Sequence, residues 1–430
     1  MTVKNDSSKE STVAPPLFVN PTNHTYHNPT PGKITIGAIT PTDGITVPSD
    51  ELCKGMTQCG FNCALVAMPT YDGNSTTTQQ LFIDTLNIFA KNNVSVFIQT
   101  KVTSALVNKL KNTSNLAGWW LNTPVFSELE NLDENIPDQI LKMETENKSA
   151  YPRMIIFSAH PNQETSGATE YQQYLEAFQK VWRPSVLYYA VYPEVILANG
   201  TVFNDYNLFY RDLQIFSLIS LYSERPLWFT IRCQSYVTKN GTRTPDPSEE
   251  EMRFAAFSAL GYGAQGLLYW SYRLRTDNSN DTFLKAPIDR NGTKIKEVWN
   301  AVQNVNREVI ALNRVFFGSN LVQVRHTKVQ YDATSLLDGG FGPLKDISTG
   351  AVGVQLSHLN TNGIDYLLIV NHGFSSSTGG AQSILMHFAP EFTIHKISVK
   401  DGLYTEDLIS IRDYSCTLQM GGYLLFRWNQ

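Results

Sequence analysis

The 430-residue sequence has few charges and no excess of basic ones. Charged residues make up 17% of the chain, and the formal net charge is −5. A nucleic-acid backbone or an anionic lipid surface is held by concentrated positive charge, which this composition does not supply. We therefore expect no nucleic-acid partner, and a neutral ligand fits better.

Long apolar runs are also missing. No stretch of 18 or more apolar residues occurs, so we expect no membrane span. The first eight residues lack the apolar core of a secretion signal. Asn-X-Ser/Thr triplets, such as that at Asn74, suit a secreted glycoprotein, although an Asn- and Thr-rich composition also produces them by chance. We predict a secreted, periplasmic or cell-surface protein whose signal is absent from this sequence, with a cytoplasmic location as the alternative.

Cysteine is scarce, and its number is odd. Of the five cysteines, Cys53, Cys59 and Cys63 are close in sequence, but no His lies at metal-ligand spacing from them. We expect buried free thiols, no metal and no other cofactor. The Gly-rich turn of a dinucleotide-binding fold is missing too, since Gly37 and Gly44 do not form that fingerprint.

The most regular feature present is an alternation of β-rich runs with helix-like segments from Lys33 onward. Eight such runs are predicted as strands: Ile34–Thr40, Ala64–Pro69, Val94–Thr100, Leu116–Asn122, Met154–His160, Val186–Tyr192, Leu227–Cys233 and Gly266–Tyr272. Eight strand–helix units in about 285 residues are typical of a (β/α)8 TIM barrel. A doubly wound open sheet is the less favoured alternative.

The helix signals agree with this alternation as far as Val315. Pro247-Ser248 followed by three Glu residues predicts a capped helix start, and Thr293–Val315 places apolar residues along one stripe. After Gly318 the chain changes to alternating runs separated by Gly, Asn and Ser, which predict an antiparallel β-sandwich. We therefore predict a polar N-terminal arm (1–31), a barrel (32–317) and a C-terminal β-sandwich (318–430).

The segment Leu116–Pro124, which ends in Leu121-Asn122-Thr123-Pro124, resembles the fourth strand of clan A glycoside hydrolases. There an apolar run ends in Asn-Glu-Pro or Asp-Glu-Pro, and the Glu is the general acid/base. Gly60-Phe61-Asn62 before strand two and Gly263-Ala264-Gln265-Gly266 at the start of strand eight are similar to galactosidase-like barrel proteins of glycan-degrading bacteria. The resemblance implies a glycoside hydrolase-like TIM barrel with an appended β-sandwich and a carbohydrate ligand.

The acids that this resemblance would require are replaced. Thr123 stands at the acid/base position, strand seven (Leu227–Cys233) contains no acid, and Ala190 occupies a strand-six position where the group often has Asp. Glycoside hydrolysis normally uses two carboxyl groups. We therefore predict a weakly active or inactive protein that binds or processes carbohydrate at the barrel mouth.

Candidate site residues follow from the rule that barrel function lies at the C-terminal ends of the strands. The predicted substrate-binding residues are Asp43, Tyr71, Trp119, Asn122, Thr123, His160, Tyr192, Arg232, Gln234, Trp270 and Tyr272. The aromatic rings would stack on sugars, although each ring is equally suited to the core. Strand alternation predicts that Trp119 and Thr123 share the mouth face and that Trp120 packs against helices.

Two rival interpretations remain open. An active glycosidase could use relocated carboxylates, for which Glu164 after strand five and Glu194 after strand six are the best candidates, although loop carboxylates are commonly only solvated. His160 could titrate near neutrality, or it could be a hydrogen-bonded structural residue. Alternatively, the protein is a structural or partner-binding protein with a plugged barrel. The sequence predicts no oligomeric state.

Overall fold

The computed structural model describes residues 30–121, 136–151, 153–158, 168–191, 194–275, 281–374 and 380–429. Its centre is a closed barrel of eight parallel strands, which confirms the predicted fold class. The barrel strands are β1 (Thr35–Ile39), β2 (Cys63–Ala67), β3 (Ser95–Gln99), β4 (Leu116–Leu121), β5 (Met154–Ser158), β6 (Val186–Ala190), β9 (Leu227–Arg232) and β11 (Gly266–Trp270). All eight predicted strands are present, with shorter limits.

Helices surround the barrel. They are α1 (Asp50–Gln58), α2 (Thr76–Lys91), α3 (Ser104–Leu110), α4 (Ile136–Glu146), α5 (Ala168–Trp182), α6 (Tyr206–Ser223), α7 (Glu249–Gly261), α8 (Lys296–Ala311) and the short α9 (Asn313–Phe316). Side-chain oxygens of Ser49, Ser75, Thr103 and Ser248 accept backbone N–H groups at four helix starts, which fixes where those helices begin. The predicted apolar stripe of the last long helix is buried from Val298 to Val309.

Strand alternation divides the buried side chains into two layers. One set points into the barrel and includes Leu65, Phe97, Ile156, Tyr188 and Trp228. The opposite faces of the same strands pack against the helices in a much larger cluster. Both faces of a parallel barrel strand are therefore buried, and only residues near the strand ends reach solvent.

A small hairpin and a separate two-stranded sheet lie in the loops that follow barrel strands β6, β9 and β11. Strand β7 (Glu194–Ile196) pairs with β8 (Val202–Asn204), and β10 (Ser235–Thr238) pairs with β12 (Asp281–Lys285). Arg243 joins the two groups through a bridge to Ile196. The loops on this side of the mouth are therefore ordered by backbone pairing.

The C-terminal region forms two antiparallel sheets, as predicted. Their strands are β13 (Asn320–His326), β14 (Leu344–Thr349), β15 (Val354–Thr361), β16 (Ile364–Asn371), β17 (Gln382–Phe388), β18 (Thr393–Lys400), β19 (Leu403–Ile409), β20 (Asp413–Leu418) and β21 (Tyr423–Asn429). Six of them form one sheet and three the other, with an apolar core that includes Leu356, Ile369 and Phe426. The sequence predicts strands at Gly350–Leu356, Tyr366–Val370, Ile384–Phe388, Ile394–Val399, Ser415–Met420 and Tyr423–Trp428, which correspond to β15, β16, β17, β18, β20 and β21, whereas β13, β14 and β19 were missed.

The sandwich packs on the barrel through α7 and the six-stranded sheet. Phe257 of α7 stacks on Tyr423 with ring centroids 3.7 Å apart, and Gln355 donates to the Ser258 carbonyl. Gly421 has a positive φ of 63°, and a Cβ there would lie 2.2 Å from the carbonyl oxygen of Glu250. The two domains therefore meet closely enough to require glycine at this position.

All five cysteines are free, and Cys53, Cys59, Cys63 and Cys233 are buried. Burial in apolar surroundings raises the pKa of the Cys53 thiol to about 12, so this group is protonated and unreactive at neutral pH. No helix within the described residues has the length and apolar character needed to cross a membrane.

Candidate functional site at the barrel mouth

The mouth is the end of the barrel where the parallel strands finish. Side chains near these ends that share the inward face and reach solvent are Ala67, Gln99, Trp120, Ala190 and Trp270. Gln99 and the two indoles are partly buried, and Ala67 is exposed. This part of the mouth is therefore uncharged, with two aromatic groups and an amide.

Each of the two adjacent tryptophans of β4 lies on the face opposite to the one predicted for it. The pairing of β3 with β4 shifts register between Val96 and Phe97, and beyond this irregularity Trp120 packs with the barrel interior. Trp119 lies in the layer between strands and helices, with no exposed surface, and its Nε1 donates to Glu144 Oε1 at 2.8 Å. The predicted orientation was wrong, and Trp119 presents no face to the mouth.

This contact gives a direct test of the Trp119 orientation. Replacing Trp119 with Phe removes the indole donor from a charged acceptor, so we expect the free energy of unfolding to fall by about 1.5 to 3 kcal/mol. Glu144→Gln keeps an acceptor oxygen at the same place and should cost less. Urea unfolding followed by circular dichroism measures both values; an unchanged stability in Trp119→Phe would contradict the buried hydrogen bond.

Trp270 ends β11 and carries an aromatic cover. Its ring meets Tyr236 edge-on at a centroid distance of 5.8 Å and Phe283 at 6.5 Å, both from the β10–β12 sheet. The Arg275 guanidinium lies 6.0 Å from the Trp270 ring and 5.2 Å from the Phe283 ring. The two-stranded sheet therefore fixes the indole orientation at the mouth while leaving the side chain partly exposed.

Arg232 is also at the end of its strand, but its guanidinium is only 1% exposed. Nε donates to Glu251 Oε1 at 3.1 Å, Nη2 forms an ion pair with the same carboxylate, and Nη1 donates to the Gln234 carbonyl at 3.0 Å. Glu251 lies in the first turn of α7. The prediction that Arg232 binds sugar is corrected, because its guanidinium is bonded within the protein and joins the end of β9 to α7.

Gln234 follows Arg232 and is fully buried. Neither its side-chain oxygen nor its nitrogen has a hydrogen-bond partner within the described part of the chain. A buried unpaired amide costs roughly 1 to 3 kcal/mol, so this residue is not explained by stability. It lies beside the mouth, but with no exposed surface.

Asp43 lies in the loop after β1, the strand that pairs with β11. Its carboxylate accepts from the Ile45 and Thr46 backbone nitrogens at 3.1 and 3.0 Å, and Arg273 Nη1 lies 3.7 Å away. Burial opposes ionisation, but the hydrogen bonds from Thr46 and Ile45 and the Arg273 charge outweigh it and hold the pKa of Asp43 below its usual value. Asp43 is thus an ionised group that orders its own loop.

Tyr71 and Tyr272 lie deeper than predicted. Tyr272 is 1% exposed, packs edge-on against Phe61, and its hydroxyl accepts from Trp299 Nε1 at 3.3 Å. Tyr71 is 8% exposed and packs edge-on against Phe82 of α2. Both rings belong to the layer between strands and helices, so the expectation of open stacking faces is corrected for them.

The other predicted site residues fall outside the described residues. They are Asn122, Thr123, His160, Glu164 and Tyr192. Glu194 begins β7, and its side chain is also outside the description. Their roles remain predictions, including the replacement of the acid/base by Thr123.

Three acids near the described loops are already engaged. Asp43 binds its turn, Glu251 binds Arg232, and Asp246 accepts from Ser235 Oγ at 3.0 Å and lies 2.7 Å from Lys285 Nζ. Burial works against ionisation of Asp246, but Lys285 and Ser235 more than compensate, and its pKa is lowered. Within the described residues, no group of three or more His, Cys, Asp or Glu is placed to hold a metal ion.

Sequence reasoning missed Trp120 and the Tyr236–Phe283–Arg275 cover. The doublet Trp119-Trp120 was itself a signal, because one of two adjacent strand residues must face inward. The cover could not be found from sequence, since its residues come from two loops, distant in sequence, that meet only through the pairing of β10 with β12.

Comparison with solved structures gives the same architecture. A glycoside hydrolase family 5 protein from Bacteroides vulgatus matches with a TM-score of 0.53 and 10% identity over 92% of this chain and 88% of that one. A putative α-galactosidase from Bacteroides fragilis gives 0.49 and 9% over 93% and 80%, and a β-galactosidase from Marinomonas ef1 gives 0.43 and 11% over 65% and 60%. No protein-family model and no curated protein matches the chain. The match with a TM-score of 0.53 shows a glycoside hydrolase-like fold, and at 10% identity it shows the fold alone.

Proposed function

We propose that the protein binds carbohydrate at the barrel mouth and is at most a weak hydrolase. The observation that carries this proposal is the pair of partly exposed indoles, Trp120 and Trp270, on the inward faces of their strands. Indole rings offer flat apolar faces with a polar edge, which suit the C–H faces and hydroxyls of a pyranose.

The order of the barrel strands places these indoles on opposite sides of the mouth. Strands β9, β6 and β5 separate β11 from β4 in one direction, and β1, β2 and β3 separate them in the other. Three strands on each side make the two positions diametrically opposed. A ring-shaped ligand entering the mouth would therefore meet an indole from either side, with Gln99 between them on β3 as a hydrogen-bonding group.

The charge arrangement supports binding over hydrolysis. Retaining enzymes hold two carboxyl groups about 5 to 5.5 Å apart and inverting enzymes about 6.5 to 9.5 Å apart. The interior positions near the described strand ends are not acids, and Asp43, Asp246 and Glu251 are bound to cations or backbone groups. Together with Thr123 in the acid/base position of the resemblance, this favours loss of the usual pair, and loss of one general acid costs about 10² to 10⁴ in rate.

The test is glycan binding by the full chain, screened on a glycan array and measured by calorimetry. The double variant Trp120→Ala/Trp270→Ala should weaken binding by about tenfold or more, because loss of about 1.4 kcal/mol is tenfold in affinity. Tyr222→Ala is the control, since this exposed ring lies near the end of α6, away from the mouth. Circular dichroism and thermal unfolding verify that each variant is folded.

Three outcomes contradict the proposal in different ways. Undiminished glycan binding in a folded double variant would show that the two indoles are not part of the binding site. Absence of any glycan binding would favour a structural or partner-binding protein. Substantial turnover of aryl glycosides that disappears in Glu164→Gln or Glu194→Gln would instead indicate an active glycosidase with relocated carboxylates.

A further inference from the structure

A cavity lies at the end of the barrel opposite the mouth. It has a volume of about 420 Å³ and is bounded by the C-terminal end of α6, the N-terminal ends of β9 and β11, the linker after α9, and the sandwich. This volume is within the range of small-molecule sites, which commonly occur between domains. The sandwich contributes Asn320, Leu321 and Asn362, so a bound molecule would contact both domains.

The cavity contains a cation, Arg225, whose charge is paired by none of the described residues. The Nε of Arg225 is buried and has no hydrogen-bond partner, and Arg225 forms no ion pair with any described residue. Glu224 precedes Arg225 in sequence, but it forms no ion pair with Arg225 and is exposed at the rim of the cavity, in a left-handed conformation with φ 54°. A buried guanidinium nitrogen without an acceptor is costly, and a planar carboxylate is the group that its geometry fits best.

Other polar groups of the wall are fixed by the protein itself. Ser217 Oγ donates to the Tyr262 carbonyl at 2.8 Å, Ser220 Oγ donates to the Arg225 carbonyl, and Gln265 bonds the backbone of Phe316 and Gly318 at 3.1 and 2.8 Å. These bonds hold the wall in one shape. A rigid wall lowers the ordering cost of binding.

The remaining wall groups define the rest of the ligand. Within the described residues neither the Asn320 nor the Asn362 side-chain amide forms a hydrogen bond, and each amide can both donate and accept. Pro226, Phe317 and Leu321 supply apolar surface. A ligand that fits this cavity would have hydroxyl groups that hydrogen-bond the two amides, a C–H face that packs on the apolar wall, and a carboxylate that pairs with Arg225.

We propose that this cavity binds a small hydroxylated carboxylate, of the class of the uronic acids. The site is independent of the proposed mouth site, because it lies at the other end of the barrel. Since both domains line it, the ligand stabilises their association as well as the native state.

The probe is D-glucuronate, with D-glucose as the neutral match, titrated by calorimetry into the full chain. We expect glucuronate to bind with one site per chain and to raise the unfolding temperature, and glucose to bind about tenfold or more weakly, because it lacks the carboxylate. Arg225→Gln should lose the preference for glucuronate. Arg307→Gln, on the exposed side of α8, is the matched control and should bind as the parent protein does.

A second variant keeps the test decisive if Arg225→Gln does not fold. Asn362→Asp has the same shape, tolerates the left-handed φ of 53° at this turn, and adds a negative charge to the cavity, so it should weaken glucuronate binding. Trp120→Ala/Trp270→Ala should leave glucuronate binding intact, which separates this site from the mouth. No glucuronate binding by the parent protein, equal affinity for glucose, or loss of binding in the mouth variant would each overturn the proposal.

Discussion

Arg232→Met is expected to lower the free energy of unfolding by about 3 to 5 kcal/mol, because it leaves the buried Glu251 carboxylate without its cation. Both side chains are almost fully buried, at 1% and 7% exposure. The guanidinium also bonds the Gln234 carbonyl, and the Pro245 carbonyl on the far side of the loop. Guanidinium-induced unfolding, followed by tryptophan fluorescence, measures this loss.

The double variant Arg232→Met/Glu251→Leu separates the ion pair from the packing. An apolar pair of similar volume often replaces a buried ion pair at little cost, so we expect the double variant to recover most of the lost stability. If Arg232 were instead a ligand-binding group, Arg232→Met would weaken glycan binding and leave unfolding nearly unchanged. That result would restore the sequence-based prediction.

Arg232 also illustrates what could be predicted from sequence and what could not. The strand that carries it was found from its β-rich pattern, as were the other seven, because a strand buried on both faces needs a continuous apolar run. The partner, Glu251, follows 19 residues later in a helix whose capped, acidic start was also predicted. Neither local pattern shows that the two side chains meet and remove the guanidinium from the mouth.

Trp119 shows the second limit of the sequence. Counting alternate residues from one end of β4 predicts the wrong face, because an irregularity in the pairing with β3 changes which side chains point inward. Gly118, beside the irregularity, is the residue that could have signalled it, because a glycine inside a strand often marks a bulge or a close approach of another backbone. The sandwich strands β13, β14 and β19 were missed for a related reason: their half-exposed edge positions carry a mixed pattern of polar and apolar residues.

The second large effect that we expect concerns two histidines buried where the barrel meets the sandwich. His326 Nδ1 and His372 Nε2 are 3.2 Å apart, His326 Nε2 is 2.8 Å from the Tyr262 hydroxyl, and Tyr206 donates to the His372 carbonyl at 2.6 Å. Tyr210 and Tyr331 pack against both imidazole rings. The described neighbours that bond these rings are tyrosines and a backbone carbonyl, with no carboxylate to stabilise an imidazolium.

Burial lowers the pKa of both rings. For His326, burial and the neighbouring His372 hold the pKa well below its usual 6.5, and for His372 burial lowers the pKa to about 3 against a smaller opposing effect of the Val352 carbonyl. Because each pKa is lower in the folded protein than in the unfolded chain, the unfolded chain binds more protons once the pH falls below 6.5. The stability of the folded protein is therefore full above pH 6.5 and is lost as the pH falls from 6.5 toward 3.

We therefore expect acid to weaken the junction of the two domains. At about pH 5 each ring should remove about 2 kcal/mol of unfolding free energy relative to neutral pH, since each pH unit below the unfolded pKa is worth about 1.4 kcal/mol. His372→Gln keeps a nitrogen donor toward His326 and removes one titrating ring, so it should reduce the acid-induced loss by about half. His395→Gln is the control: this partly exposed ring lies in β18, 3.1 Å from the Glu406 carboxylate and outside the buried pair, so its removal should not lessen the loss. The test is the unfolding free energy of the parent protein and both variants, measured in denaturant between pH 6.5 and 3. If the stability of all three proteins were independent of pH, the two buried rings would not remain neutral on folding.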